Sequence, residues 1–74
     1  MTFCEAVAKT VRKRRTSLGL SRAELGALIG RNHQAIARFE NARTTCRLEM
    51  LEAMAEAMQT TTIALLLEAE TIGM

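Results

Sequence analysis

The sequence predicts an all-α fold, and three features indicate this class. With 74 residues the chain has room for one small domain, because a chain of this length buries only about 60% of the surface it exposes when unfolded. It contains no Trp, Tyr or Pro, so its core must be built from Leu, Ile, Met, Ala and two Phe, which favours packed helices over a sheet. Apolar residues also recur at helical spacing in several segments. We therefore expect one all-helical domain over residues 1–74.

The first predicted helix covers residues 3–18 and ends at Gly19, a typical C-terminal stop. Its core-facing stripe is predicted to contain four apolar residues: Phe3, Val7, Val11 and Leu18. The second helix begins at Ser21 or Arg22, because Ser21 followed by Glu24 is a capping-box pattern. It runs through Leu25 and Leu28 to Gly30, which suits the positive φ of a tight turn.

Three further helices follow. The third covers Asn32 to Glu40, with Asn32 as its cap, and a loop follows it. The fourth runs from about Leu48 to Met58, and its methionines are best explained as core filling. After a turn of three threonines, the fifth covers IALLLEAE, residues 63–70, and a short tail ends the chain.

Two opposite charges fall at core-facing positions of different helices. Arg15 continues the stripe of the first helix at i+4 from Val11, and Glu40 lies four residues after the core residue Ile36. A single buried charge costs several kcal/mol. Arg15 and Glu40 are therefore predicted to form a structural ion pair.

Charge is distributed unevenly although the net charge is only +2. Residues 1–47 hold all 10 basic residues and three of the eight acids, a formal charge of +7, whereas residues 48–74 hold five acids and no base, a charge of −5. The basic part favours a polyanionic partner, although charged residues also simply solvate a surface.

Composition and motifs exclude several kinds of site. Cys4 and Cys46 are far apart in the sequence and belong to no CxxC or Cys/His cluster, so we expect two reduced thiols, no metal site and no disulfide framework. His33 has no partner for a catalytic triad, which predicts no enzyme, no catalytic residue and no cofactor. The longest charge-free run, residues 57–67, is too short for a membrane span, so a cytoplasmic protein is expected.

The third helix has a polar side whose composition is distinctive. RNHQAIARFE, residues 31–40, places Ile36 and Phe39 on one side and four other residues on the opposite side: His33, Gln34, Ala37 and Arg38. That side contains hydrogen-bonding groups, one small residue and no acid. This composition raises the question of which partner the polar side faces.

The segment LSRAELGALIGRNHQAIARFENAR, Leu20 to Arg43, resembles the helix-turn-helix of the Cro and lambda-repressor-like DNA-binding family. The family pattern is matched without gaps at eight positions: Leu20, Ser21, Glu24, Leu25, Gly30, Ile36, Glu40 and Asn41. Arg15 and the closing segments LEML and MAEAM extend the likeness over most of the chain. The resemblance implies a five-helix DNA-binding domain with its helix-turn-helix at about residues 21–40.

The resemblance also implies roles for single residues. The third helix would lie in the major groove of double-stranded DNA and contact bases through four residues: His33, Gln34, Ala37 and Arg38. Phosphates would be contacted by Ser21, Arg22, Arg31, Asn32, Asn41, Arg43 and Thr44, with Arg14 as a further candidate. The chain departs from the family pattern at Gly26, Arg31, Ala42 and Cys46, which alters local geometry more than it argues against the fold.

The acidic C-terminal third is predicted to mediate dimerisation. Residues 61–74 carry more apolar side chains than one short helix can bury, and a second copy of the chain would cover the surplus. The expected interface residues are Ile63, Leu67, Ile72 and Met74.

The leading function is a transcriptional repressor that binds a palindromic operator as a homodimer. One alternative is an antitoxin or controller protein of a small operon, which represses its own promoter and also binds a protein partner. A second alternative, from a different class, is a small helical adaptor that binds a protein and no DNA.

Overall fold

The computed structural model describes residues 2–42 and 46–73. It contains five helices: α1 (Phe3–Ser17), α2 (Arg22–Ile29), α3 (His33–Glu40), α4 (Leu48–Ala57) and α5 (Thr62–Gly73). The described residues contain no strand, and the predicted all-α class is confirmed. One boundary differs clearly, because α5 extends to Gly73 and Ile72 is therefore helical, whereas the sequence predicted a short tail after residue 70.

Local side-chain caps determine where the first three helices begin. Ser21 Oγ accepts a hydrogen bond from the backbone N–H of Glu24 at 3.0 Å, and Glu24 Oε1 accepts one from the Ser21 N–H at 2.9 Å. Asn32 Oδ1 accepts from the Ala35 N–H at 3.0 Å. Thr2 and Glu5 form a second capping box at the start of α1, which the sequence reasoning missed. Each cap satisfies backbone N–H groups that have no partner within the helix.

A tight turn joins α2 to α3. Gly30 ends α2 in the left-handed conformation with φ 71°, where glycine has no steric penalty. Gly26 allows the turn to lie close to α2, because a Cβ at this position would lie 2.5 Å from the carbonyl oxygen of Arg31. The N–H of Arg31 also donates to the carbonyl oxygen of Gly26 at 2.7 Å. The departure at Gly26 therefore has a structural reason, which is the close approach of the α2 backbone to the turn.

All five helices contribute to one core. Its larger members are nearly inaccessible to solvent: Val7, Val11, Leu25, Ile36, Phe39, Leu51, Met54, Met58 and Leu65. α1 packs most extensively against α5, and α2 packs most extensively against α3. The two helices of the α2–α3 unit are thereby held as one body against the remaining helices.

The predicted core stripes are wrong at their ends. Phe3 is 50% exposed because it begins α1 and lies beyond the packed part of the helix. Leu18 is 43% exposed because α1 ends at Ser17, so helical spacing no longer places residue 18 over Val11. In α2 the inward positions belong to Leu25 and Ile29, and Leu28 is 60% exposed.

None of the helices in the described ranges is long and apolar enough to cross a membrane.

Candidate nucleic-acid interface

α3 is amphipathic, and its polar side forms an open face. Ile36 and Phe39 are 0% and 3% exposed on the inner side. A shallow depression of about 380 Å³ on the outer side is lined by five residues: His33, Gln34, Ala37, Arg38 and Asn41. The structure therefore brings the four candidate base contacts together and adds Asn41, which was predicted to contact phosphate. We call this depression the recognition face.

The C-terminal end of α3 is held by a buried carboxylate. Glu40 Oε2 accepts from Arg15 Nε at 2.6 Å, Glu40 Oε1 accepts from Arg15 Nη2 at 3.0 Å, and the Glu40 side chain is 0% exposed. The remaining Arg15 Nη1 group donates to the carbonyl oxygen of Leu20 at 2.8 Å. The two core-facing charges therefore lie against each other, in the bidentate geometry that makes arginine–carboxylate pairs strong.

A second arginine shares this carboxylate. Arg22 Nε donates to Glu40 Oε1 at 3.1 Å, and the Arg22 side chain is 38% exposed. Glu40 in α3 thus contacts both Arg15 in α1 and Arg22 at the start of α2. The sequence did not indicate this contact, because no helical spacing relates Arg22 to Glu40. Within the described ranges, every buried side-chain nitrogen and oxygen has a hydrogen-bond partner.

The other phosphate candidates surround the recognition face. Ser21 and Asn32 are exposed but use their side-chain oxygens as helix caps, so Nδ2 is the donor that Asn32 offers to a phosphate. Arg31 in the turn is exposed, as is Asn41 after α3. Arg43 and Thr44 lie outside the described residues.

Arg14 has a structural contact that the sequence did not predict. Its guanidinium donates to the carbonyl oxygen of Met58 at 3.0 and 3.3 Å and to that of Gln59 at 3.3 Å. These carbonyls lie at the C-terminal end of α4, where a cation is favourable for the helix dipole. The Arg14 side chain therefore caps α4, and its contact with a phosphate stays a prediction.

Comparison with known families identifies the motif. A family model described as a helix-turn-helix domain matches residues 6–68. The chain belongs to the helix-turn-helix domain family. The predicted helix-turn-helix family is therefore confirmed, and α2, the turn and α3 lie where the motif was predicted. No curated protein sequence matches the chain.

The structure of this helix-turn-helix domain is similar to two crystal structures of the clp gene regulator ClgR from Corynebacterium glutamicum. Each is 21% identical in sequence, and each comparison covers 97% of the present chain. The TM-scores are 0.92 and 0.91, and the matched part is 77% of one ClgR chain and 94% of the other. At this level of identity the likeness shows the fold alone.

A third similar structure belongs to an enzyme, the hydroxypropylphosphonic acid epoxidase from S. wedmorenis. The identity is 25%, the TM-score is 0.76, and the match covers 84% of the present chain but only 33% of the epoxidase chain. One fold is thus found in a gene regulator and in part of an enzyme, so the function must be argued from the site. Residues 2–42 and 46–73 contain no group of three His, Cys, Asp or Glu placed to hold a metal ion.

The α5 helix of this helix-turn-helix domain has an apolar outer face. Ile63 is 71% exposed and Leu67, one turn later, is 60% exposed. Ile72 is half-buried and packs against the core, so less of its side chain is available to a partner than the sequence suggested. Met74, the fourth predicted interface residue, lies outside the described residues. Ile63 and Leu67 therefore form the apolar face of α5.

Proposed function

We propose that the protein is a sequence-specific transcriptional regulator that binds double-stranded DNA through the recognition face of α3. One observation carries this proposal: four side chains suited to base edges share an open face that contains no acid, on the second helix of a helix-turn-helix. In such motifs the second helix enters the major groove. The charge of +7 over residues 1–47 supports a polyanionic partner on this part of the chain.

Base recognition follows from the chemistry of the face. Gln34 pairs with adenine through two hydrogen bonds, and Arg38 pairs in the same way with guanine. His33 lies in the first turn of α3, where side chains of recognition helices contact base edges. Ala37 is small enough to contact the methyl group of a thymine. The operator is therefore expected to contain a specific adenine and a specific guanine in each half-site.

Phosphate contacts would orient α3 without reading sequence. The N-terminus of α2 offers the backbone N–H group of Arg22, together with the positive end of the helix dipole. The N–H of Ser21 is already donated to Glu24, so Ser21 would contact a phosphate through its hydroxyl group. Arg31 and Asn32 in the turn form the next group of proposed contacts. A second group follows α3 and contains Asn41, Arg43 and Thr44. The contacts on both sides of the recognition face would hold it against the groove.

We further infer that the protein acts as a repressor and a homodimer. The apolar face of α5, with contributions from Ile72 and Met74, would pack against the same face of a second copy, which a two-fold axis allows. Two recognition helices would then contact half-sites about 10 to 10.5 base pairs apart on one side of the duplex. The operator would be an approximate palindrome, and its occupancy would block transcription.

A selection of bound sites from random duplex DNA, followed by a salt titration of the best site, tests the proposal. Affinity should fall steeply with salt, because each neutralised phosphate contributes a slope of about −0.9 in log K against log salt. The selected sites should converge on a palindrome. Absence of binding at low salt, or binding that salt does not weaken, would instead support the helical adaptor.

A further inference from the structure

A second depression in the surface lies between α2 and α4. Its volume is about 380 Å³, and it is lined by five residues: Leu28, Ile29, Ala53, Glu56 and Ala57. It shares no residue with the recognition face or with the apolar face of α5. We call this depression the α2–α4 groove.

The lining of the α2–α4 groove is mostly apolar. Leu28 is 60% exposed on the α2 side, next to Ile29, which is half-buried against the core. Ala53 and Ala57 lie one turn apart on the α4 side, and their short side chains leave the space between the helices open. The groove therefore exposes apolar surface to water, and a partner that covered this surface would gain hydrophobic free energy.

Acidic side chains accompany the apolar lining. Glu56 lines the groove itself, and Glu49 and Glu52 precede it by seven and four residues on the same exposed side of α4. On α2, the exposed Glu24 lies one turn before Leu28. Both ion pairs among the described residues use Glu40, so in these ranges the other carboxylates remain available to a base.

This combination of apolar lining and negative charge selects the kind of partner. DNA or an anionic membrane surface would be repelled by the carboxylates of α4. The α5 helix of a second copy is also unsuited, because it carries Glu68 and Glu70 and residues 48–74 contain no base. A protein segment with an apolar side and flanking bases matches both properties of the groove.

We propose that the α2–α4 groove is a docking site for a basic amphipathic helix of a protein partner. A groove between two helices suits this mode, in which apolar residues spaced three and four apart enter the groove. They would cover Leu28 and lie over Ala53 and Ala57. Lysine or arginine residues on the flank of the same helix would pair with Glu56. The inference does not rest on DNA binding, because no residue of the groove is a proposed DNA contact.

The test uses a synthetic peptide of about four helical turns with leucines on one side and lysines on the other. One control peptide replaces every lysine with glutamate, and another has the same composition in an order that leaves no apolar side. Binding to the isotope-labelled protein, without DNA, is followed by amide chemical shifts, and affinity is measured by fluorescence anisotropy. Only the lysine peptide with an apolar side should bind, and the largest shifts should fall at Leu28, Ala53 and Ala57.

Three variants separate the groove from the general acidity of the C-terminal third. Leu28→Glu removes the apolar contact while adding an acid, and it should weaken the lysine peptide by about tenfold or more. Glu56→Lys should weaken it by roughly threefold to tenfold. Glu68→Lys makes the same charge change at an exposed position of α5 and should have a much smaller effect. All three positions are exposed, and thermal unfolding confirms that each variant is folded.

Several results would overturn the proposal. Absence of binding by the lysine peptide is one, and chemical shifts concentrated at Ile63 and Leu67 of α5 are another. An equal loss with Glu68→Lys and Glu56→Lys would show attraction to the acidic third as a whole. Groove amide signals that move when the protein alone is diluted would show that a second copy is the occupant.

Discussion

The carboxylate of Glu40 lies 2.6 Å from the Nε of Arg15, and both side chains are almost completely removed from solvent. This contact joins the last residue of α3 to α1, and Arg22 adds α2 to the same carboxylate. The orientation of α3 therefore depends on one acidic side chain that does not itself lie on the recognition face.

We expect that removing either partner of the Arg15–Glu40 pair destabilises the domain by about 3 to 5 kcal/mol, because the other charge is left buried and unpaired. Urea denaturation of Arg15→Met and Glu40→Gln measures this free energy of unfolding. Arg22→Ala, which removes a partly exposed partner, should cost under about 1 kcal/mol. In a double-mutant cycle the Arg15 and Glu40 substitutions should be strongly coupled, and additive effects would show that the pair contributes no specific interaction.

Substitutions on the recognition face should change sequence preference and leave stability almost unchanged. Arg38→Ala and Gln34→Ala are each expected to cost about 1 to 3 kcal/mol of binding free energy at particular operator positions. Arg12→Ala on α1 removes the same charge from an exposed position outside α3 and is the matched control. Competition assays against operators with single base changes measure these preferences, and an Arg38→Ala protein with unaltered preference everywhere would contradict the assignment.

The backbone after α3 stores strain that glycine would relieve. Ala42 adopts φ 55°, in the left-handed region that costs a residue with a Cβ roughly 1 to 2 kcal/mol. Ala42→Gly is therefore expected to stabilise the domain by about 0.5 to 1 kcal/mol, since glycine loses more entropy on folding and offsets part of the gain. Thermal unfolding measures the change. Gly30→Ala has open space around the added Cβ and φ 71°, so it should shift stability in the opposite direction.

Acid should weaken the start of α2. The N–H of Ser21, with its hydroxyl, lowers the pKa of the Glu24 carboxyl below its usual range. A group whose pKa is lowered by folding contributes stability above its unfolded pKa and loses it as pH falls through the folded pKa. Glu24→Gln should therefore reduce the loss in the free energy of unfolding that occurs between neutral and acidic pH. Glu5→Gln at the equivalent box of α1 should have a similar effect, and a profile that neither change alters would contradict the explanation.

The proposed dimer predicts that a charge at Leu67 separates the two copies, and the same substitution at Leu28 is the control. Leu67 on α5 and Leu28 on α2 are both 60% exposed, so a glutamate at either position should be similarly tolerated by the monomer. Only Leu67→Glu should convert the dimer to a monomer in analytical ultracentrifugation, together with weaker binding to the two-half-site operator. If the wild-type protein is a monomer at micromolar concentration and binds singly to a site without symmetry, both the proposed dimer and the predicted half-site spacing are wrong.

The features that the sequence predicted well are those that depend on near neighbours. Ser21 and Glu24 are three residues apart, so the start of α2 could be located from a short segment. The contact of Arg15 with Glu40 was also predictable, because helical spacing placed each charge among core residues and a buried charge requires a partner.

The features that it missed depend on how helices approach one another. Arg14 could not be separated from the other basic residues of α1 until the end of α4 was placed beside it. Residue type and spacing therefore indicated which side of α3 is polar, but not that Arg14 and Arg22 have structural contacts.

Because α3 has a packed side and an exposed side, the protein could change its sequence preference during evolution without changing its fold. Ile36, Phe39 and Glu40 make the packing contacts of this helix, and the outward residues contribute little to folding. Gene duplicates could therefore exchange the outward side chains and acquire new target sites without losing a stable scaffold. For the same reason, an engineer could build a library at positions 33, 34, 37 and 38 alone and expect most of its members to fold.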